Sequence, residues 1–231
     1  MSVGYARGVD VLHEDNHVLV VSKPAGLATM GVRAEEPSLV RVAKDYLKQR
    51  YDKPGNVYLG IVSRLDAVTS GALVLARTTK AAKRLSEAFQ TGAVRKTYWV
   101  VVPTTPNPAT GACRDYLKKD EPRQRMAIAR PEAPDAREAR LRYRTIETLG
   151  EYGALVEVDL ETGRKHQIRV QFAHRGWPVR GDRKYGSKVP FPEGIALHSR
   201  RITFEHPVKK TTLEIEAPLP ESWRAVGLES R

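Results

Sequence analysis

The 231-residue chain holds one cysteine, Cys113. A lone thiol excludes an intramolecular disulfide and a cysteine-built zinc site within one chain, so Cys113 reads as an ordinary small residue. No uninterrupted apolar stretch reaches the roughly 18 residues that a membrane span needs. The opening residues MSVGYARGVD lack the apolar segment of a secretory signal. These absences lead us to expect a soluble, cytoplasmic protein with no membrane partner. Acid is in short supply as well: 27 Asp and Glu face 39 Lys and Arg, a formal net charge of +12. That excess favours nucleic acid over an acidic small molecule as partner. The basic residues are spread along the chain, so a binding surface has to be assembled by folding rather than carried on a tail. GxGxxG, GxxxxGK[ST] and GxSxG patterns are all missing, which leaves dinucleotide, nucleoside triphosphate and hydrolase chemistry without their usual carriers. The six histidines are scattered and read as polar or capping residues. Neither a metal nor a cofactor is expected.

What is present alternates between short strands and amphipathic helices. Residues 17–22 (HVLVVS) form a β-branched run that stops at Lys23-Pro24-Ala25-Gly26. Ser38 is placed to cap a helix whose apolar face carries Leu39, Val42, Ala43, Tyr46 and Leu47. A strand over 72–77, a helix over 79–90 stopped near Gly92, and a strand over 94–102 follow. Residues 103–111 carry three prolines, an asparagine and a glycine and read as a loop. Strands are then expected over 126–130, 140–148, 154–160, 196–204 and 211–217, with a helical stretch from Arg164 to Arg175 ended by Gly176. Hairpin spacing and the excess of strands over helices predict an α+β fold, a single domain with a mixed, largely antiparallel sheet and flanking helices. The domain is expected over residues 10–220, with 1–9 and 221–231 as terminal extensions.

Two segments stand out chemically. Arg64-Leu65-Asp66 precedes Thr69-Ser70-Gly71 and the apolar run 72–76, putting a carboxylate beside a cation at a strand edge. Such a group can stay ionised inside a pocket and act as nucleophile or base. The second segment, 162–186, packs Arg164, Lys165, Arg169, Arg175, Arg180, Arg183 and Lys184 among Ile168, Val170, Phe172 and Trp177. That mixture suits a groove for phosphates and sugar with an apolar floor, and equally an amphipathic helix with solvated charges. On a helix, His166 and Arg169 share one side and Ile168 and Phe172 another.

Taken in order, KPAGL at 23–27, RLDAVTSG at 64–71, RKTYWVVV at 95–102, TGRKHQIRVQFAHRGWPVRGD at 162–182 and ALHSRRITFEHP at 196–207 resemble the RluA family of pseudouridine synthases. The resemblance implies an RNA uridine isomerase that needs no cofactor, built as a single catalytic domain with a central active-site cleft. It also implies a substrate in structured RNA, ribosomal or transfer, and we expect the protein to act as a monomer. Asp66 would be the catalytic carboxylate, attacking ribose C1′ or abstracting the neighbouring 2′ proton. Tyr98 would lie against the uracil, with Trp99 on the opposite face of its strand. Arg169 would pair with Asp66 and keep it charged, Arg64 would fill the space left by the extruded uridine, and Ile168 would wall the pocket. Arg164, Lys165, His166 and Arg180 are the expected RNA contacts. RNA is preferred to DNA because the chemistry can engage a 2′ hydroxyl and a single flipped nucleotide.

Ser63, Ala67, Val68 and Gln171 depart from the family pattern, which bears on the substrate more than on the reaction. The early start of the first motif leads us to expect no separate N-terminal RNA-binding domain. A non-catalytic RNA-binding or assembly factor on the same fold is the alternative. A glycoside hydrolase would need a second carboxylate that Asp66 lacks.

Overall fold

A computed structural model of the chain describes residues 10–33 and 35–229. The expected extension over residues 1–9 and the last two residues of the one over 221–231 lie outside the described residues. The chain falls into two compact units, the first running up to Val94 and including Arg201–Pro218, the second made of Arg95–Arg200 and the residues from Leu219 on.

In the first unit β1 (Asp10–Glu14) pairs with β2 (Val18–Lys23). Then come α1 (Leu39–Arg50), β3 (Gly60–Ile61), β4 (Ser70–Ala76) and α2 (Thr79–Thr91). β2 and β4 run antiparallel with Val18 opposite Ala76 and Lys23 opposite Gly71. β2 is apolar over 18–21 and β4 over 72–76 because both faces are covered there. Val18, Val20, Ala72, Val74 and Ala76 pack with Ala81 and Leu85 of α2. Leu19, Val21, Leu73 and Leu75 point the other way, onto Leu39, Ala43 and Leu47 of α1. Ser38 caps α1 by accepting from Arg41 N at 3.4 Å, and Gly92 (φ 78°) ends α2 in the left-handed region.

The second unit is an antiparallel meander of β5 (Arg95–Val102), β6 (Thr110–Asp120), β7 (Arg125–Ala129), β8 (Arg137–Thr148) and β9 (Ala154–Leu160), in the spatial order β5, β9, β8, β6, β7. The short helix α3 (Gln167–His174) contributes Val170 to a buried cluster with Leu117, Ala139 and Tyr185. Along β8 the inner positions Ala139, Leu141 and Tyr143 are buried, while Arg140, Arg142 and Arg144 point to solvent. Those arginines meet Glu161 and Glu157 of the neighbouring segment at 2.7–3.2 Å. At the β8–β9 turn a Cβ on Gly153 would collide with the Val102 carbonyl oxygen, so only glycine fits there. β10 (Leu197–Glu205) begins in the second unit and ends in the first, where it pairs with β11 (Thr212–Glu216).

The α+β class with a largely antiparallel sheet is borne out. Three differences have physical reasons. The long strand β6 was not expected, because Arg114, Asp115, Lys118 and Lys119 hide its alternation. α3 starts at Gln167 rather than Arg164, and residues 221–226 form a 3-10 segment that buries Trp223 and Val226. Among the described residues no helix is long and apolar enough to cross a membrane.

One polar clip ties the first unit together. Asp15 Oδ1 accepts from the His17 and Val18 backbone N–H groups at 2.8 and 2.9 Å, and Oδ2 meets His206 Nε2 and Lys209 Nζ at 2.8 and 3.0 Å. Burial works to raise the Asp15 pKa. Hydrogen bonds from His17 N–H, Lys209 and Val18 N–H outweigh it and hold the carboxyl below its ordinary 3.8. A depressed carboxyl contributes stability above its unfolded value and loses it as the pH falls toward the folded one. Asp15→Asn is expected to lower the unfolding free energy by about 1–3 kcal/mol at pH 7. In urea titrations at a series of pH values, the gap to wild type should narrow once the pH drops below 3.8.

Candidate active site

The Asp66 loop is built by the chain that leaves β2. Lys23, fully buried at the end of that strand, donates from Nζ to the carbonyls of Pro24 (2.7 Å), Leu27 (2.8 Å) and Ala67 (3.2 Å). Gly26 N also donates to Ala67 O at 2.8 Å. Thr29, buried as well, grips Leu65 through both backbone groups: its hydroxyl donates to Leu65 O at 2.8 Å and accepts from Leu65 N at 3.2 Å. Asp66 itself closes a turn in which Thr69 N donates to its carbonyl at 3.0 Å. The loop between β3 and β4 is therefore clamped on both sides of the carboxylate, at Leu65 and at Ala67. Asp66 is half-buried and Arg64 is exposed.

Burial pulls the Lys23 ammonium down to about 7, and the nearby Asp66 charge acts in the opposite direction. Its three carbonyl acceptors match the three N–H donors of an ammonium, one more than a neutral amine offers. Lys23 and Thr29 had no assigned role in the sequence reading. The signal was there for Lys23, as the first residue of the KPAGL motif, while Thr29 carried none.

The second unit positions the remaining candidates. Tyr98 lies half-buried on β5 opposite Val158 of β9. Trp99 projects from the other face, where the Arg200 guanidinium stacks 4.8 Å from its ring centre. The 162–167 segment is folded around one side chain. Gln167 Oε1 accepts from Thr162 Oγ1 at 2.8 Å and from Arg164 N at 3.0 Å, while Nε2 donates to Arg140 O at 3.0 Å. This knot forces His166 into the left-handed region (φ 54°) as the residue before α3, so the expected helical pairing of His166 with Arg169 does not form. His166 Nδ1 instead lies 2.7 Å from the Tyr185 hydroxyl, which accepts from Met126 N.

Arg169 is buried on α3 and forms a two-pronged pair with Asp182, Nε to Oδ2 at 2.6 Å and Nη2 to Oδ1 at 2.9 Å. The Tyr185 ring lies 5.0 Å beneath its guanidinium carbon. Asp182, 1% exposed, is a functional neighbour that the sequence reading passed over. Ile168 is buried beside Arg169. Of the expected RNA contacts, Lys165 is exposed, Arg164 is exposed with Nε on Glu138 O, and Arg180 is held on the Pro190 and Tyr152 carbonyls. The departing Gln171 is buried and donates to Asp115 Oδ2 at 2.6 Å and Ala139 O at 3.2 Å, a structural use of the position. No group of three or more His, Cys, Asp or Glu residues suited to a metal ion occurs among the described residues.

Two substitutions check this scaffold. Asp182→Ala strands a buried guanidinium and is expected to cost about 3–5 kcal/mol in urea unfolding. Lys23→Met leaves three carbonyls without their donor; the expected loss is about 3 kcal/mol, together with faster amide hydrogen exchange at Leu65 and Thr69.

Comparison with known proteins agrees with this arrangement. Residues 17–174 match the family described as RNA pseudouridylate synthase. The chain is similar to ribosomal large subunit pseudouridine synthase D of Xylella fastidiosa, 36% identical over 230 residues, which cover 92% of this chain and 66% of the relative. It is also 41% identical over 175 residues to an uncharacterized RNA pseudouridine synthase of Chloroflexus aurantiacus, covering 74% of this chain and 54% of the relative. The chain thus spans between about half and just under two thirds of the length of these curated relatives. Among solved structures, human RNA pseudouridylate synthase domain containing 4 superposes with a TM-score of 0.76 at 26% identity, covering 97% of this chain and 94% of that one. The chain belongs to the RNA pseudouridylate synthase family, the membership that its five motifs implied.

Proposed function

We propose that the protein isomerises uridine to pseudouridine in RNA, with Asp66 as its catalytic carboxylate. The observation that carries the reading is the double clamp on the Asp66 loop, Thr29 on Leu65 and Lys23 on Ala67. It fixes the backbone on both sides of the one carboxylate that the family pattern requires. Preorganisation of this kind puts a reacting group in place before substrate arrives.

In this reading the N1–C1′ bond of a flipped uridine breaks as Asp66 attacks C1′ or removes the 2′ proton. The uracil turns and C5 joins C1′ as the Asp66 carboxylate leaves C1′ or gives back the 2′ proton; C5 then loses its proton and N1 takes one up, so the product is an isomer of the starting nucleoside. Tyr98 lies against the uracil and assists the last proton transfer. Arg169, held rigid by Asp182, serves substrate binding. Arg64 takes the place of the extruded base, offsetting unstacking that costs a few kcal/mol, and Ile168 supplies an apolar wall. Arg164, Lys165, His166 and Arg180 serve RNA contacts. Residues 10–220 act as one catalytic domain, as a monomer in the cytoplasm, and ribosomal RNA is the favoured substrate over transfer RNA because similar proteins carry ribosomal large subunit names.

The test uses unmodified large-subunit ribosomal RNA transcribed in vitro. Wild-type protein should produce pseudouridine at a defined position, read by primer extension after carbodiimide treatment. Asp66→Asn should bind the RNA with unchanged affinity and produce none, and Tyr98→Phe should slow the reaction by about 10²-fold or more. RNA binding by the wild type with no pseudouridine formed in ribosomal or transfer RNA would instead make the protein a binding factor.

A further inference from the structure

Lys96 has no role in the mechanism above, and its surroundings are unusual for a lysine. It sits near the start of β5, two residues before Tyr98, so strand alternation puts the two side chains on the same face. It is half-buried. Burial lowers its pKa with no opposing contribution from an acid. The acidic groups of this region are engaged elsewhere. Asp159 accepts from the Thr97 hydroxyl at 2.7 Å, Thr97 being on the opposite face, and Glu161 is shared by Arg140 and Arg142. No hydrogen bond or ion pair engages the Lys96 ammonium among the described residues.

What the ammonium faces is the backbone of the segment that leads into α3. A Cβ built on Gly163 would lie 3.8 Å from Lys96 Nζ, and Nζ is the single heavy atom within 4 Å of that point apart from the glycine's own chain neighbours. Gly163 does not occupy the left-handed region, so its backbone conformation is open to other residues. Its lack of a side chain leaves room directly over the ammonium. Lys165, two residues on, is exposed and adds a second cation at the same segment. A partly desolvated cation with clear space before it and a second positive charge close by in sequence suits an anion with several acceptor oxygens.

We propose that Lys96 binds a phosphodiester of the RNA backbone next to the target nucleotide, in the space over Gly163, and so fixes the strand while the base lies against Tyr98. The proposal rests on the reading of the protein as an RNA uridine isomerase and adds a phosphate-binding residue to it. Phosphate contacts set register rather than sequence, so the effect of losing Lys96 belongs mainly to binding and positioning. An acidic protein segment is the competing ligand, and salt-dependent RNA titration separates the two.

The test compares wild type with Lys96→Gln and Lys96→Arg on the same unmodified ribosomal RNA, with folding of each checked by urea titration; Lys96→Met replaces Lys96→Gln should the latter not fold. Lys96→Gln is expected to bind RNA about tenfold more weakly at low salt. The slope of log affinity against log salt should be shallower by about 0.7, the contribution of one phosphate contact on a single strand. Lys96→Arg should restore the slope. Replacing Gly163 by Val, which fills the space before the ammonium, should weaken binding in wild type and change nothing further in Lys96→Gln. An unchanged salt slope in folded Lys96→Gln overturns the proposal, whether or not the wild type makes pseudouridine. A shallower slope with no product from wild-type protein overturns the isomerase reading and leaves Lys96 as a phosphate ligand.

Discussion

One buried ammonium organises the region on which the chemistry depends. Lys23 stands at the end of β2 with three carbonyl oxygens around it, two from its own turn and one from Ala67, just past Asp66. Burying a lysine is costly unless its donors are met, and here the acceptors come from two chain segments separated by more than forty residues. The need to satisfy Nζ therefore draws the Asp66 loop onto the turn after β2. Thr29 repeats the logic from the other side, using one hydroxyl to meet both backbone groups of Leu65. A carboxylate carried on such a loop has little freedom to drift.

The second unit reaches rigidity by a different route. Arg169 lies on a helix of only eight residues, too short to hold a long side chain steady by itself. Its position comes from the flat, two-point pair with Asp182 and from the Tyr185 ring beneath, and Tyr185 is in turn fixed by His166 and Met126. Gln167 performs a similar task for the segment ahead of the helix, collecting Thr162, Arg164 and Arg140 around its amide. A motif that reads as a string of basic residues is thus a folded knot whose centre is an uncharged glutamine.

The parts legible in the sequence are those governed by local rules. Ser38 and Gly92 marked helix ends because capping depends on neighbours a few positions away, and β2 and β4 showed as apolar runs because both faces are covered. What stayed hidden depends on distant partners. β6 alternates correctly at Cys113 and Leu117, but the inner position between them is Asp115, a charge made tolerable by Gln171 and Arg175 some sixty residues later. Asp182 and Thr29 were silent for the same reason, since each matters only through a side chain or backbone group far along the chain. The start of α3 was misplaced because nothing local announces that Gln167 turns back on its own loop. The motif pattern supplied Asp66, Tyr98 and Arg169, which no periodicity argument could have selected.

The row of arginines along β8 has a consequence for how the molecule meets polyanions. Arg140 and Arg142 pair with Glu161 and Arg144 with Glu157, so the exposed face of this strand is close to electrically balanced despite the formal excess of +12. A flat lattice of uncompensated guanidinium groups would adhere to any nucleic acid it touched and release it slowly. Cancelling that attraction along β8 leaves the remaining positive charge to act where it is not locally matched. For the RNA-modifying function proposed above, adhesion to the substrate then rests on those unmatched cations and not on the sheet.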